Sequence, residues 1–110
     1  MSTISAEDRL MTYINVFHCT PDKQQELSAA IRRETEDIVR HMPGFVSANL
    51  HCSVDGTRVT NYAQWSTLAA FQEHIRSEAG RALITELHKY ADNVDVHVYQ
   101  VDWIMSGEGK

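Results

Sequence analysis

The chain has 110 residues, 43% of them hydrophobic and 23% charged, with a formal net charge of −5. That is enough apolar material for one buried core in one domain, and the acidic balance excludes a phosphate-coating surface of clustered Lys and Arg, so no nucleic-acid partner is expected. No apolar run approaches the roughly 20 residues of a membrane-spanning helix, the N-terminus lacks the basic-then-apolar order of a signal peptide, and Cys19 and Cys52 form no CxxC pair; a cytoplasmic protein with no membrane partner is expected.

Residues 1–9 are polar and unpatterned and read as a flexible leader to a domain over residues 10–105. Residues 10–18 (LMTYINVFH) are β-branched and aromatic and predict a first strand. Thr20-Pro21 is expected to open a helix, with Thr as N-cap and Pro at the first helical position. Leu27, Ala30, Ile31, Ile38, Val39 and Met42 recur on its apolar side, and Pro43-Gly44 ends it. Residues 45–53 and 58–65 flank Val54-Asp55-Gly56-Thr57, a hairpin signal through its central Asp-Gly. Ser66 is expected to cap a second helix carrying Leu68, Phe71 and Ile75. Gly80 should interrupt that helix before a further helical stretch with Leu83, Ile84, Leu87 and Tyr90. Val94, Val96 and Val98 alternate with Asp95, His97 and Tyr99 in a last strand expected to reach Trp103, and residues 106–110 read as a flexible tail.

The resulting order, β-α-β-β-α-β, predicts an α+β ferredoxin-like fold, with the first strand between the third and fourth and the second at an edge. Two helices cover one face of such a sheet. Bulk lies on both faces, since Ile14 and Val16 alternate with Tyr13 and Phe17, and Val46, Ala48 and Leu50 with Phe45. The uncovered face predicts a homodimer joined through its sheets as a dimeric α/β barrel.

On the third strand Val59, Asn61, Ala63 and Trp65 point one way and Thr60, Tyr62 and Gln64 the other. An Asn among apolar neighbours is costly unless its amide finds partners, and Trp65 offers a flat surface with one N–H donor. Together they suit a planar aromatic ligand bearing a carbonyl or phenol oxygen. The plainer alternative is that Asn61 bonds neighbouring backbone and Trp65 is core.

The runs Pro43-Gly44-Phe45-Val46-Ser47-Ala48-Asn49, Asp55-Gly56-Thr57-Arg58-Val59 and Asn61-Tyr62-Ala63-Gln64-Trp65 resemble the antibiotic biosynthesis monooxygenase (ABM) family over nearly all of residues 11–103. The resemblance implies a dimeric α/β barrel with a pocket between sheet and helices in each subunit. It also implies a monooxygenase that oxidises an aromatic phenol or anthrone-type, polyketide-like substrate to a quinone with O₂ and without flavin, haem or metal. Asn61 and Trp65 match the substrate-contacting Asn and Trp of the anthrone monooxygenases, and Asn15 falls where several relatives have a pocket Asn. Phe71, expected with His74 and Arg81 to bind substrate, stands where a relative has a Tyr proposed as proton donor, so proton transfer must use another group or water. Arg81 lies near a substrate-binding Arg of some members.

His18-Cys19 and His51-Cys52 put neighbouring side chains on opposite strand faces, and no HxH or HExxH spacing occurs, so no metal ligand set is expected. His41 and His88 suit helix ends. His97 faces either the dimer core or a pocket. His74 is a pocket acid or base, or else a solvated helix residue. Haem-degrading monooxygenases share the implied fold, but Ile84 falls nearest their helical His ligand. A non-catalytic ligand-binding dimer and a polyketide cyclase are further alternatives within it.

Overall fold

The computed structural model describes residue 4 and residues 10–108. The expected leader, Ile4 aside, and the last two residues of the expected tail lie outside the described residues. The elements run β1 (Met11–His18), α1 (Gln24–Asp37), a 3₁₀ turn (Val39–His41), β2 (Phe45–Cys52), β3 (Arg58–Trp65), α2 (Leu68–Arg76), α3 (Glu78–Leu87) and β4 (Asn93–Tyr99). The strands form one antiparallel sheet of order β2-β3-β1-β4. This is the expected α+β ferredoxin-like topology, with β1 central and β2 at an edge.

Pairing places Asn15 opposite Asn61 on one side and Val96 on the other, while Tyr13 faces Ala63 and Val98. Because alternate residues share a face, Met11, Tyr13, Asn15 and Phe17 lie on the helix-covered side with Val59, Asn61, Ala63 and Trp65. The apolar members divide into two core clusters. Phe17 and Val59 pack with Leu27, Ala30, Ile31, Leu87 and Ala91. Met11, Tyr13, Ala63 and Trp65 pack with Val39 and Phe71. The Asn15–Asn61 pair falls on the strands between them.

Local chemistry moved several boundaries. Helix α1 begins at Gln24 and Lys23 is its N-cap residue, so Thr20-Pro21 forms the preceding turn, in which Lys23 N–H bonds the Thr20 carbonyl. Gln24 then anchors the helix start by donating from Nε2 to the Ser53 and Arg58 carbonyls. Its regular part ends at Asp37, ahead of Pro43-Gly44, because Ile38 leaves the helical conformation and a 3₁₀ turn follows. Thr67, not Ser66, caps α2, its side chain accepting from Ala70 N–H. The second break is at Ser77, which caps α3 by accepting from Gly80 N–H. Gly80 therefore sits inside α3, where a Cβ would stand 2.0 Å from the His74 carbonyl oxygen. The hairpin turns at Gly56 with φ +81°, and Asp55 Oδ1 accepts from Ser53 Oγ, Thr57 N–H and Thr57 Oγ1.

A register irregularity between Phe45 and Ser47 brings Phe45 onto the same side as Ala48, so these two do not alternate, and Val46 is exposed. Strand β4 stops at Tyr99, short of Trp103, because pairing with β1 extends only to Thr12–Tyr99. On the face away from the helices lie Ile14, Val16, Tyr62, His97 and Tyr99, beside the irregular segment 100–105.

Candidate active site

Between the sheet and the helices is a cavity of about 290 Å³. Its floor is Tyr13, Asn15, Asn61, Ala63 and Trp65 on the two central strands, and α3 closes it with Leu83, Ile84 and Leu87. No Asp, Glu, Lys or Arg is among the described residues lining it. The walls are mostly apolar, with few polar groups converging on one region, as ligand sites generally are.

Those polar groups have distinct environments. Asn15 is 7% exposed, and its Oδ1, like Asn61 Oδ1, is buried without a hydrogen-bond partner. Buried polar atoms are normally paired, so two facing orphans in one cavity mark a place built for a ligand's donors. Trp65 is 1% exposed and holds three rings around it: Phe45 at 5.5 Å, Phe71 at 5.9 Å and His74 at 5.0 Å between centroids. The His74 ring is stacked on the indole at 20°, and its Nδ1 lies 2.8 Å from Met42 Sδ. A thioether only accepts, so Nδ1 carries the proton and Nε2 keeps its lone pair. Burial pushes the His74 imidazole below its ordinary pKa, favouring the neutral form. Burial also pushes the Tyr13 phenol up to about 12, against the opposing effect of a side-chain hydrogen bond with Asn15.

The family model described as antibiotic biosynthesis monooxygenase matches residues 11–86. The chain belongs to that family. Over 72 residues it is 53% identical to the tetracenomycin-F1 monooxygenase of Streptomyces glaucescens, a match covering 66% of this chain and 64% of that protein. The aligned part thus spans just under two thirds of that curated relative. Among solved structures, the Streptomyces coelicolor monooxygenase from the gene ActVA-Orf6, in complex with nanaomycin D, superposes with TM-score 0.76 at 22% identity, covering 94% of this chain and 96% of that one. SnoaB, a cofactor-independent oxygenase from Streptomyces nogalater, gives TM-score 0.72 at 20% identity, with 90% and 99% covered. Both share the fold.

In this ABM chain the cavity gathers Asn15, Asn61, Trp65 and His74. His74 is buried, which overturns its reading as a solvated helix residue: it lies three residues past Phe71, on the face of α2 that packs against Trp65. Phe71, expected to bind substrate, instead packs its ring from α2 against Tyr13 and Trp65 and does not line the cavity. Arg81 also fails to reach it, because Leu83, Ile84 and Leu87 occupy the cavity side of α3 and leave Arg81 exposed. Ile84 stands at the rim, 41% exposed. His88, expected only to suit a helix end, lines the cavity too. His97 lies on the opposite sheet face, and His18 pairs with Asp95 at 2.8 Å. Tyr13 was missed as a polar group; the signal available was one phenol in a strand row that otherwise alternates apolar and Asn.

Proposed function

We propose that the chain is a cofactor-independent monooxygenase that oxidises an aromatic phenol or anthrone-type polyketide to a quinone with O₂. The facing, unpaired amide oxygens of Asn15 and Asn61 in an apolar cavity carry this reading. An amide with an unpaired acceptor takes a phenol O–H from a planar ligand, and its N–H end stabilises the oxyanion formed when that ligand loses a proton. The 53% identity to a tetracenomycin-F1 monooxygenase supports the same substrate class.

The chemistry asks little of the protein. Neutral His74 accepts a proton from the electron-rich substrate, and the enolate passes one electron to O₂. The radical pair joins as a peroxide, which loses water to leave a carbonyl. The net change is CH₂ plus O₂ to C=O plus H₂O. The chain's share is to hold the ring system against Trp65, exclude bulk water and stabilise negative charge with Asn15 and Asn61.

We also propose that the working unit is a homodimer, supported by the apolar sheet face around Ile14, Val16 and Tyr62. Oxygen uptake screened over hydroxyanthrones, naphthols and hydroquinones with a metal chelator tests the activity. Uptake that persists under chelation is expected. Uptake that appears only after adding haem or flavin overturns it.

A further inference from the structure

Phe71 has no hydroxyl, yet the ring it packs against does. Tyr13 is 8% exposed, its centroid 4.2 Å from that of Phe71, and it lines the cavity beside Asn15. A phenol buried on a central strand needs a partner, and Asn15, two positions along the same strand face, is placed to supply one. The Asn15 side chain opposes the rise of the phenol pKa, as an amide N–H directed at the phenol oxygen does, while Asn15 Oδ1 has no partner of its own. The phenol's own hydrogen is then left for a ligand in the cavity. Opposite Tyr13 stand Ala63 and Val98, small enough to leave that space open.

We infer that Tyr13 is the proton donor to the oxygen that leaves as water when the peroxide collapses, with Asn15 holding the phenol in place. The inference rests on the monooxygenase reading above. The peroxide anion first takes back from His74 the proton the substrate lost, which gives a hydroperoxide and neutral His74. In the collapsing step the O–O bond breaks and its electron pair goes to the distal oxygen as hydroxide. That hydroxide takes the Tyr13 proton and becomes water. The carbon's remaining hydrogen leaves as a proton to His74, and its electron pair completes the C=O bond. His74 then returns a proton to the Tyr13 phenolate, which Asn15 N–H stabilises meanwhile. Atoms and charge balance over the cycle, with no oxidant besides O₂. The raised phenol pKa is consistent with this role, since Tyr13 stays protonated throughout the neutral range and is still far more acidic than water.

The test compares the parent, Tyr13→Phe, Asn61→Ala and the double variant Tyr13→Phe/Phe71→Tyr in a 1,8-dihydroxyanthrone assay, with O₂ consumption and quinone formation recorded together. Tyr13→Phe keeps the ring that packs on Phe71. It should lower kcat by about 10²-fold while KM stays within about twofold, with O₂ consumed ahead of quinone as peroxide accumulates. The double variant, which moves the hydroxyl to the neighbouring ring, should recover about tenfold of the lost rate. Tyr13→Phe at the parent rate, with Asn61→Ala slowed, overturns the Tyr13 role and leaves the monooxygenase standing. A parent that oxidises no phenol or anthrone overturns the monooxygenase itself, and the Tyr13 role falls with it.

Discussion

The imidazole of His74 lies flat against the indole of Trp65, centroids 5.0 Å apart and planes 20° from parallel. A stacked, buried imidazole is held neutral because protonation in that setting loses hydration without gaining a counter-charge. Two consequences of one sign follow. The acid limb of kcat should fall below the ordinary histidine value of about 6.5. Stability from His74 is complete above the unfolded pKa, and it declines as pH falls from there through the lowered folded value. Urea midpoints between pH 7.5 and pH 5 should show this decline in the parent and less of it in His74→Gln.

Gly80→Ala should destabilise the fold, although Gly→Ala within a helix ordinarily stabilises by about 0.5–1 kcal/mol. The added Cβ would stand 2.0 Å from the His74 carbonyl oxygen, which is backbone and has little room to move. A loss of about 1–3 kcal/mol in urea unfolding is expected. Because the collision is at His74 itself, activity should fall as well.

Asn61→Leu separates function from stability. Asn61 Oδ1 is buried and unpaired, so an apolar side chain of similar size removes a desolvation cost. The variant should unfold at a higher denaturant concentration, by about 1 kcal/mol, while kcat falls by about 10²-fold. A less stable Asn61→Leu would mean that the amide serves the fold.

Ile14→Glu places a charge at the middle of the helix-free sheet face, opposite Tyr62 and His97. Sedimentation equilibrium should give a dimer for the parent and a monomer for this variant, with far-UV circular dichroism unchanged. A parent that sediments as a monomer contradicts the proposed assembly.

The strand order and the face carrying Asn61 and Trp65 were legible because period-two alternation survives in a one-residue-per-step code. Asn15 and Asn61 were each visible on that code. Their position directly opposite one another was not, because it depends on inter-strand register. Helix ends were read less well. The break at Ser77 is made by a serine cap, while Gly80, the more conspicuous breaker, is a close-contact position inside α3. That one displacement changes what α3 presents to the cavity, with Leu83 and Ile84 at the wall and Arg81 in solvent. Tyr13 looked like ordinary strand bulk, because nothing in the order of residues tells a packed phenyl from a phenol held by the Asn two positions on.

Oxygenation with ¹⁸O₂ and a hydroxyanthrone, in the presence of a metal chelator, tests the central claim most directly. One labelled oxygen should appear in the quinone carbonyl and the other in water, at a rate the chelator leaves unchanged. A quinone that takes its new oxygen from solvent, or labelling that requires added haem or flavin, would contradict it.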